Sequence, residues 1–289
     1  MPSPLLAVDT PSLMYRAFFA LPKSITGSDD TPVNALLGTA NLVLNAIELT
    51  APRAVVLCWG AEAAHYRKAL YAGYHADRPE MPDELVGQWE DAPDLFAGFG
   101  WPSLRSDDLE ADDLLGTLAD LERDAGGTAV LFTGDRDMFQ CVDDRVRVLF
   151  PRGGKDGPHD MGAAEVRAHA GVDPAQIPDL IALRGDPSDG IPGAKGIGAK
   201  GAAELLGRFG DLDGVLAAAA KTPPEGMTLK RATGLLDQAP QLHDYKDMAT
   251  LRTAPGVTRP ADAPTDRAGG SAAARERGMN GLADRLVNA

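Results

Sequence analysis

Short apolar runs alternate with amphipathic stretches over the first 150 residues of the chain. The apolar runs predict buried strands over residues 5–8, 53–58, 129–132 and 145–150. Helical spacing of apolar residues predicts helices over 33–49 and 111–124. Strands that alternate with helices favour a mainly parallel central sheet flanked by helices on both faces. We therefore expect an α/β core, which we place over residues 1–178.

The pattern changes twice outside the predicted strands. Residues 65–100 are richer in aromatic and charged side chains and contain three prolines, at positions 79, 82 and 93. Over residues 179–255 the strand signal disappears, and short apolar stretches separated by Gly and Pro predict a helical subdomain. Residues 256–289 have the composition of a linker and end in a candidate docking helix, Met279 to Val287.

Composition excludes several classes of protein. With 44% hydrophobic and 24% charged residues among 289, the chain is globular and not disordered. It has only two cysteines, Cys58 and Cys141, far apart in sequence, which excludes a disulfide scaffold and a cysteine-ligated zinc site. We expect both to be buried thiols. No apolar run approaches the length of a membrane span and no signal peptide is evident, so a cytoplasmic, monomeric protein with no membrane partner is expected.

The formal charge of −14 argues at first against a nucleic-acid partner. However, eight of the 42 acidic residues are candidate metal ligands, which leaves 34 against 28 basic residues. An acidic surface of that size still permits a locally basic groove. Net charge therefore does not decide between a nucleic-acid partner and any other.

Carboxylates follow the predicted strands at their C-terminal ends. Asp9 ends the first strand, while Asp135 and Asp137 follow the strand at 129–132. Because sites in open α/β sheets form beyond the carboxyl ends of the strands, these side chains are expected to face one cleft. Three more acids open the helix at 111–124, where interaction with the helix dipole is the alternative explanation. They are Glu110, Asp112 and Asp113.

All of these candidate ligands are oxygen donors. Carboxylate oxygens suit Mg²⁺ or Mn²⁺ and disfavour zinc. The combined negative charge of these carboxylates exceeds the positive charge of one divalent ion. We therefore expect two or more ions. Two ions held close together form the clamp that supports in-line displacement at phosphorus.

The segment 185–206 contains Gly-Ile-Gly-Ala-Lys-Gly, which matches a dinucleotide-binding pattern. The prolines and aspartates before it cannot form the buried strand that this fold requires, and no Gly-Lys-Ser/Thr of a P-loop is present. A helix-hairpin-helix over 191–206 fits better, with Ala202, Leu205 and Leu206 on the packed side of its second helix. Such hairpins hold a duplex backbone without reading sequence. The candidate phosphate contacts are Lys195, Gly196, Gly198 and Lys200.

Asp186 and Asp189 precede this hairpin. Either could close an Asx-turn, or both could face the carboxylates of the sheet and complete a second metal position. Spacing alone does not choose between these two roles.

Together, five ordered motifs between Leu5 and about residue 255 resemble the 5′-nuclease family. This family contains the flap endonucleases and the 5′–3′ exonuclease domain of bacterial DNA polymerase I. The motifs are VDTPSLMYRAFFALP (8–22), HYRKALYAGYHADRPEMPDEL (65–85), LEADDLL (109–115), TGDRDMFQ (133–140) and GDPSDGIPGAKGIGAK (185–200). No polymerase sequence follows them, so the resemblance is to a stand-alone nuclease with a PIN-like core.

The resemblance implies hydrolysis of DNA phosphodiesters at 5′ ends, nicks and the base of 5′ flaps during replication and repair, by a two-metal-ion mechanism. It also implies that the hairpin binds DNA with a K⁺ ion. All eight carboxylates then match metal ligands, including Asp186 and Asp189, so the resemblance favours metal binding over an Asx-turn for these two. The set is Asp9, Glu110, Asp112, Asp113, Asp135, Asp137, Asp186 and Asp189.

By the same resemblance, residues 65–100 form a gateway or arch for single-stranded DNA. Tyr74 matches an aromatic residue that stacks on a base, Arg78 matches a cation that steers the phosphate, and Arg16 and Arg67 are further DNA-binding candidates. His75 matches the catalytic lysine of the gateway.

Two positions depart from the family. His75 lacks the permanent charge of that lysine, and Trp59 occupies the end of the second strand, where the family has an aspartate. These departures leave two alternatives open: a DNA-junction binding protein with weakened catalysis, or an RNA nuclease on a PIN-like core.

Overall fold

The fold is taken from a computed structural model that describes residues 3–152 and 157–288. Residues 1–2 and 153–156 of the predicted nuclease core therefore lie outside the described residues. A six-stranded sheet forms the centre of the core, with the strand order β3-β2-β1-β4-β5-β6. Its strands are β1 (Leu5–Asp9), β2 (Ala54–Trp59), β3 (Ser103–Arg105), β4 (Ala129–Phe132), β5 (Val146–Phe150) and β6 (His159–Met161).

The sheet is parallel except for β6, which runs antiparallel to β5. The predicted α/β class is therefore confirmed, as are the four predicted strands. Sequence reasoning did not predict β3 and β6, because three residues are too few to establish a hydrophobic pattern.

Helices cover both faces of the sheet and form the second subdomain. Those that precede or flank the strands are α1 (Thr10–Ala20), α2 (Asn34–Thr50), α3 (His65–Leu70), α4 (Asp83–Gly98), α5 (Ala111–Asp124) and α6 (Ala163–Ala170). The helical subdomain contains α7 (Ile177–Arg184), α8 (Ala199–Phe209), α9 (Leu212–Ala219), α10 (Leu229–Asp237) and α11 (Ala239–Ala249). The chain ends with α12 (Arg267–Glu276) and α13 (Asn280–Val287). Among the described residues, no helix is both long and apolar enough to cross a bilayer.

Alternation along the strands builds two cores, one on each face of the sheet. Leu6 and Val8 of β1 pack with α1, α2 and α4, whereas Leu5 and Ala7 pack with α5 and continue into the helical subdomain. The predicted boundary between residues 178 and 179 falls inside α7. The second core cluster thus joins the sheet to the subdomain without an intervening linker.

The gateway predicted over residues 65–100 includes a helix that belongs to the core. Leu85, Leu95 and Phe96 of α4 are fully buried, and Ala92 lies beside them. The prolines that suggested an irregular arch sit before α4 or within it, and Pro93 does not interrupt the helix. Within the predicted gateway, the cleft is lined by four residues of the segment between α3 and α4 and by Trp89 of α4.

The predicted linker is also partly helical, because α12 occupies residues 267–276. Glycines at 269 and 270 weaken its helical signal, yet both are needed for close packing against α4 and its C-terminus. A Cβ on Gly269 would clash with the carbonyl oxygen of Gly98, and one on Gly270 would meet the Phe99 ring at 2.5 Å. The candidate docking helix at 279–287 is confirmed as α13, which packs on α12 within this chain.

Candidate active site

Six of the eight predicted carboxylates line one cavity of about 880 Å³ at the C-terminal edge of the sheet. They come from the ends of β1 and β4, from the start of α5, and from the loop between α7 and α8. The six are Asp9, Glu110, Asp112, Asp135, Asp186 and Asp189. Asp137 lies next to this set and is almost fully buried, and its backbone N–H donates to Oδ1 of Asp135 at 2.8 Å.

Hydroxyl groups fix the first of these carboxylates. Oδ2 of Asp9 accepts a 2.6 Å hydrogen bond from the hydroxyl of Thr133. Oδ1 of Asp9 accepts the backbone N–H of Ser12, so Asp9 caps the N-terminus of α1. Thr133 also accepts the backbone N–H of Asp135 at 2.9 Å, so one hydroxyl orients two carboxylates. Sequence reasoning missed Thr133 and Ser12, although a hydroxyl residue beside each strand end was the available signal.

The carboxylates on the sheet side repel one another. Burial, followed by the charges of Asp135 and Asp9, holds the pKa of Asp112 well above its usual value. Burial raises the pKa of Asp9 as well, against the hydrogen bond from Thr133. For Asp135, burial and the neighbouring acids raise the pKa to about 7. These three groups therefore resist ionisation together unless a cation compensates them.

The two acids of the α7–α8 loop belong to the same electrostatic cluster. Burial raises the pKa of Asp137, and the charges of Asp135, Asp189 and Asp186 raise it further. Asp186 also accepts the backbone N–H of Ser188 at 2.9 Å, which is the Asx-turn considered from the sequence. The local turn and the approach to the sheet carboxylates thus coexist.

The donor set suits divalent cations with oxygen ligands. All the acids are carboxylates, they face one cleft, and their raised pKa values show an excess of negative charge. Within residues 3–152 and 157–288, no three His, Cys, Asp or Glu side chains are close enough to hold one ion.

Asp113 does not line this cavity. Its side chain is fully buried, pairs with Arg67 and accepts the backbone N–H of Arg252 at 2.8 Å. It also accepts the Tyr66 hydroxyl and the backbone N–H of Glu110, so both of its oxygens are occupied by protein donors. Asp113 thus faces the interior side of the first turn of α5, and its role as a metal ligand stays a prediction.

Arg67 is enclosed by protein groups. Its side chain is only 4% exposed, forms ion pairs with Glu110 and Asp113, and donates to the carbonyl oxygen of Met248. The guanidinium is therefore occupied inside the protein, and its role in DNA binding stays a prediction. Glu110 lines the cavity, but its oxygens already accept Arg67, the backbone of Ala64 and the Tyr74 hydroxyl.

The ring of Tyr74 is covered by neighbouring protein groups, and its stacking on a nucleobase stays a prediction. The residue is 4% exposed and its hydroxyl donates to Oε2 of Glu110 at 3.0 Å. The ring of His75 stacks on it with centroids 4.1 Å apart and 15° between the planes. The family resemblance singled out Tyr74, but it did not predict that the His75 ring covers one face of the Tyr74 ring.

The remaining gateway cations differ in their access to the cleft. Arg78 is exposed, lines the cavity and donates to the carbonyl oxygen of Glu62 at 3.2 Å. Its charge acts on Asp9, whose pKa it lowers against the larger effect of burial. Arg16 lies half-buried on α1 and is not among the cavity-lining residues.

The side chain that faces the carboxylates at the tip of β2 is Cys58 and not Trp59. Cys58 pairs in register with Asp9 and packs on the same face of the sheet as Ala7. Burial, followed by the charges of Asp9 and Asp112, raises the pKa of its thiol well above the usual value. Adjacent strand residues point to opposite faces of a sheet, so Cys58 and not Trp59 lies on the face of β2 next to Asp9.

Trp59 points to the other face of β2. Its Nε1 donates to Oγ of Ser103 at 3.2 Å, and its ring meets Trp89 edge-on at 5.2 Å. Trp89 lines the cavity together with Tyr15 and Met81, whereas Trp59 does not. This aromatic wall was also missed, because neither Tyr15 nor Trp89 stands beside an acidic motif.

The hairpin forms at the predicted place. Ala202, Leu205 and Leu206 are buried on α8, and Gly196 has a φ of +78°, which only glycine adopts without strain. The predicted phosphate contacts are all exposed around the N-terminus of α8. They are Lys195, Gly196, Gly198 and Lys200.

Comparison with known proteins agrees with this arrangement. Residues 4–171 match the 5′-3′ exonuclease, N-terminal resolvase-like domain, and residues 172–266 match its C-terminal SAM fold. A 5′-3′ exonuclease of Streptomyces coelicolor is 36% identical, over 98% of both chains. A 5′-3′ exonuclease of Mycobacterium tuberculosis is 38% identical over 76% of this chain and 74% of that protein. DNA polymerase I of Chloroflexus aurantiacus is 37% identical over 86% of this chain, which corresponds to 26% of the polymerase.

Solved structures share the fold at low sequence identity. The phage T5 5′-exonuclease with bound zinc has a TM-score of 0.71 and 16% identity over 98% of both chains. The catalytic core of Rad2 in complex with a DNA substrate has a TM-score of 0.63 and 16% identity, over 99% of this chain and 92% of that one. With family matches across residues 4–266 and a 36% identical relative aligned over 98% of both chains, this chain belongs to the 5′-3′ exonuclease family.

Proposed function

We propose that this chain is a divalent-metal-dependent, structure-specific nuclease that hydrolyses DNA phosphodiesters as a 5′–3′ exonuclease and a 5′-flap endonuclease. The observation that carries this proposal is the convergence of carboxylates from two subdomains on one cleft with an exposed arginine at its mouth. Two relatives named 5′-3′ exonuclease, aligned over 98% and 76% of this chain, support the reaction class.

Two groups of carboxylates would hold the ions. Asp9, Asp112 and Asp135 form the sheet group, and their mutual repulsion is what a first cation would relieve. Asp186 and Asp189 act on Asp137, so these would form a second group across the subdomain boundary. Mg²⁺ or Mn²⁺ bound there would supply Lewis-acid polarisation of the scissile phosphate and of the attacking water.

Arg78 is the group in this chain best placed to contact the scissile phosphate. Its guanidinium is exposed beside the cleft and close enough to Asp9 to act on its charge. A planar fork of donors suits phosphate oxygens and would stabilise negative charge that grows during displacement. Its hydrogen bond to Glu62 limits the directions from which a phosphate can approach.

The hairpin would fix where the duplex lies relative to the carboxylates. Asp189 and Gly196 are seven residues apart in one loop, so a backbone held at the hairpin is held close to the second group. Backbone N–H groups at the start of α8 and the two exposed lysines suit phosphates. A K⁺ ion at this turn remains part of the proposal. The aromatic wall of Tyr15 and Trp89 offers π-faces on which unpaired bases could stack without regard to sequence.

A single substrate panel tests this function. Matched 5′-flap, nicked and blunt DNA duplexes, and an RNA version of the flap, are incubated with Mg²⁺, Mn²⁺ or EDTA. We expect metal-dependent products from DNA ends and from the base of the flap, and none with EDTA. Binding to the DNA flap without product in either metal would instead support a junction-binding protein. Preferential cleavage of RNA would support an RNA nuclease.

A further inference from the structure

Tyr74 and His75 form a continuous contact between carboxylates of the two subdomains. The Tyr74 hydroxyl donates to Oε2 of Glu110 at 3.0 Å. The stacked imidazole of His75 places Nε2 3.1 Å from Oδ1 of Asp189. Glu110 begins α5, beside the sheet, whereas Asp189 belongs to the loop before the hairpin. The two rings thus span the distance between the carboxylate groups.

This conformation is determined by several independent contacts. His75 has a φ of 54°, a left-handed backbone that is uncommon for residues other than glycine. Its backbone N–H donates to the carbonyl oxygen of Asp189 at 3.2 Å, and its Nδ1 lies 3.0 Å from the carbonyl oxygen of Glu62. The loops also touch at Gly190, where a Cβ would come within 2.7 Å of the Gly73 carbonyl oxygen. Backbone strain of this kind persists only where the surroundings hold it.

We propose that Tyr74 and His75 are positioning residues that brace Asp189 against Glu110. The brace would hold the carboxylates of the helical subdomain over the cleft before any ion or DNA binds. This inference rests on the proposed function of the cleft. It assigns to both residues a role different from base stacking and phosphate steering.

The brace has a physical reason in the charge of the cleft. Asp186 and Asp189 line the same cavity as Asp9, Asp112 and Asp135, so ionised carboxylates of the loop and of the sheet repel one another across the cleft. Contacts that offset this repulsion pre-organise the second group, so that ion binding does not have to close the cleft. Both ring nitrogens of His75 already have protein partners, and its side chain is 9% exposed. Nε2 faces Asp189, whereas Nδ1 faces the carbonyl oxygen of Glu62 and lies 3.3 Å from Nη1 of Arg78. A phosphate would have to displace one of these contacts.

The test measures ion binding in the absence of DNA. Mn²⁺ is titrated into metal-free protein by calorimetry and by electron paramagnetic resonance, for wild type, His75→Ala, Tyr74→Phe and His75→Gln. We expect the weaker of two Mn²⁺ sites to lose about tenfold in affinity in His75→Ala, as for loss of one hydrogen bond to a charged group. Tyr74→Phe should shift the same site in the same direction, and His75→Gln should restore part of the affinity.

Two controls separate a brace from the other roles. His65→Ala changes an exposed histidine of α3 and should leave both Mn²⁺ affinities unchanged. Flap binding in EDTA should be the same for His75→Ala and wild type, whereas a phosphate contact at His75 would weaken it. Should His75→Ala fail to fold, Tyr74→Phe decides the question, since it removes only one oxygen.

The brace is overturned if His75→Ala binds Mn²⁺ at both sites as tightly as the wild type. If His75→Ala does not fold, the same result in Tyr74→Phe overturns it. That result would leave the nuclease function intact. Conversely, a wild type whose Mn²⁺ affinity depends on His75 but that cuts no substrate would refute the proposed function and keep the brace.

Discussion

Thr133 donates a 2.6 Å hydrogen bond through Oγ1 to Oδ2 of Asp9, and this bond joins the tips of β4 and β1. Thr133 is fully buried and Asp9 is 4% exposed, so no solvent competes for the bond. The same hydroxyl accepts the backbone N–H of Asp135. One side chain therefore aligns two carboxylates of the sheet group.

Replacing Thr133 by valine keeps the shape of the side chain and removes the hydroxyl. We expect Mn²⁺ affinity and the single-turnover cleavage rate to fall by about 10- to 100-fold, as when other groups that orient metal ligands are removed. Thr133→Ser retains the donor and should recover most of both values. Mn²⁺ affinity in Thr133→Val equal to that of the wild type would show that Asp9 does not need this hydrogen bond.

The acidic cleft should make the metal-free protein less stable at higher pH. The pKa of Asp135 is raised from 3.8 to about 7, so between these values the folded protein keeps protons that the unfolded chain releases. Stability therefore falls as pH rises through this window, by about 1.4 kcal/mol per pKa unit for one group. In EDTA, the melting temperature should be higher at about pH 5.5 than at about pH 8.

Bound divalent ions, or removal of carboxylate charges by substitution, should both reduce the loss of stability at higher pH. At the higher pH, Mn²⁺ should raise the melting temperature of the wild type, because it binds the ionised carboxylates of the folded state. Asp135→Asn/Asp137→Asn should show a flatter pH dependence in EDTA and a smaller gain with Mn²⁺. A double variant with the same pH profile as the wild type would rule out these carboxylates as its source.

Arg67→Leu should lower the free energy of unfolding rather than act directly on DNA binding. It leaves Glu110 and Asp113 without their buried cation, which costs about 3–5 kcal/mol in comparable cases. Arg78→Leu is the matched control, because Arg78 is exposed and its replacement should change stability by about 0.5 kcal/mol or less. Chemical denaturation and flap affinity are measured for both. If Arg67→Leu has normal stability but binds the flap more weakly, the result would support Arg67 as a DNA-binding residue.

The hairpin lysines should contribute electrostatic contacts without sequence preference. For Lys195→Ala/Lys200→Ala, the slope of log affinity against log salt should become shallower by about 1.8, or about 0.9 for each phosphate that is no longer neutralised. Lys221→Ala, at an exposed lysine of the same subdomain, should leave the slope unchanged. Duplex affinity is measured in EDTA over a range of KCl concentrations. Equal slopes for the double variant and wild type would mean that the duplex does not bind at the hairpin.

The sheet carboxylates could be predicted from the sequence because their placement follows from strand periodicity. Once β1 and β4 are parallel neighbours, Asp9 and Asp135 must emerge at the same edge. The hairpin could also be predicted from the sequence, because the prolines and glycines before α8 exclude a buried strand. Both predictions depend only on local pattern and on one rule of sheet topology.

Other parts of the site depend on residues that are distant in sequence. Asp112 and Asp113 are chemically equivalent neighbours, and the second one is enclosed by Arg67, 46 residues earlier, and by the backbone of Arg252. Similarly, no local feature shows that His75 covers Tyr74, or that Cys58 rather than Trp59 faces Asp9. The helix α12 was missed because its glycines serve packing against α4 at the expense of helix propensity.

Cleavage of a 5′-labelled DNA flap by wild type and by Asp135→Asn/Asp137→Asn, under single-turnover conditions with Mn²⁺, tests the central claim most directly. Asp120→Asn, an exposed position on α5, serves as the matched control. We predict cutting near the flap base by wild type and control, and a loss of cutting by the double variant with flap binding in EDTA retained. Cutting by the double variant at the wild-type rate would contradict the assignment of these carboxylates as the active site.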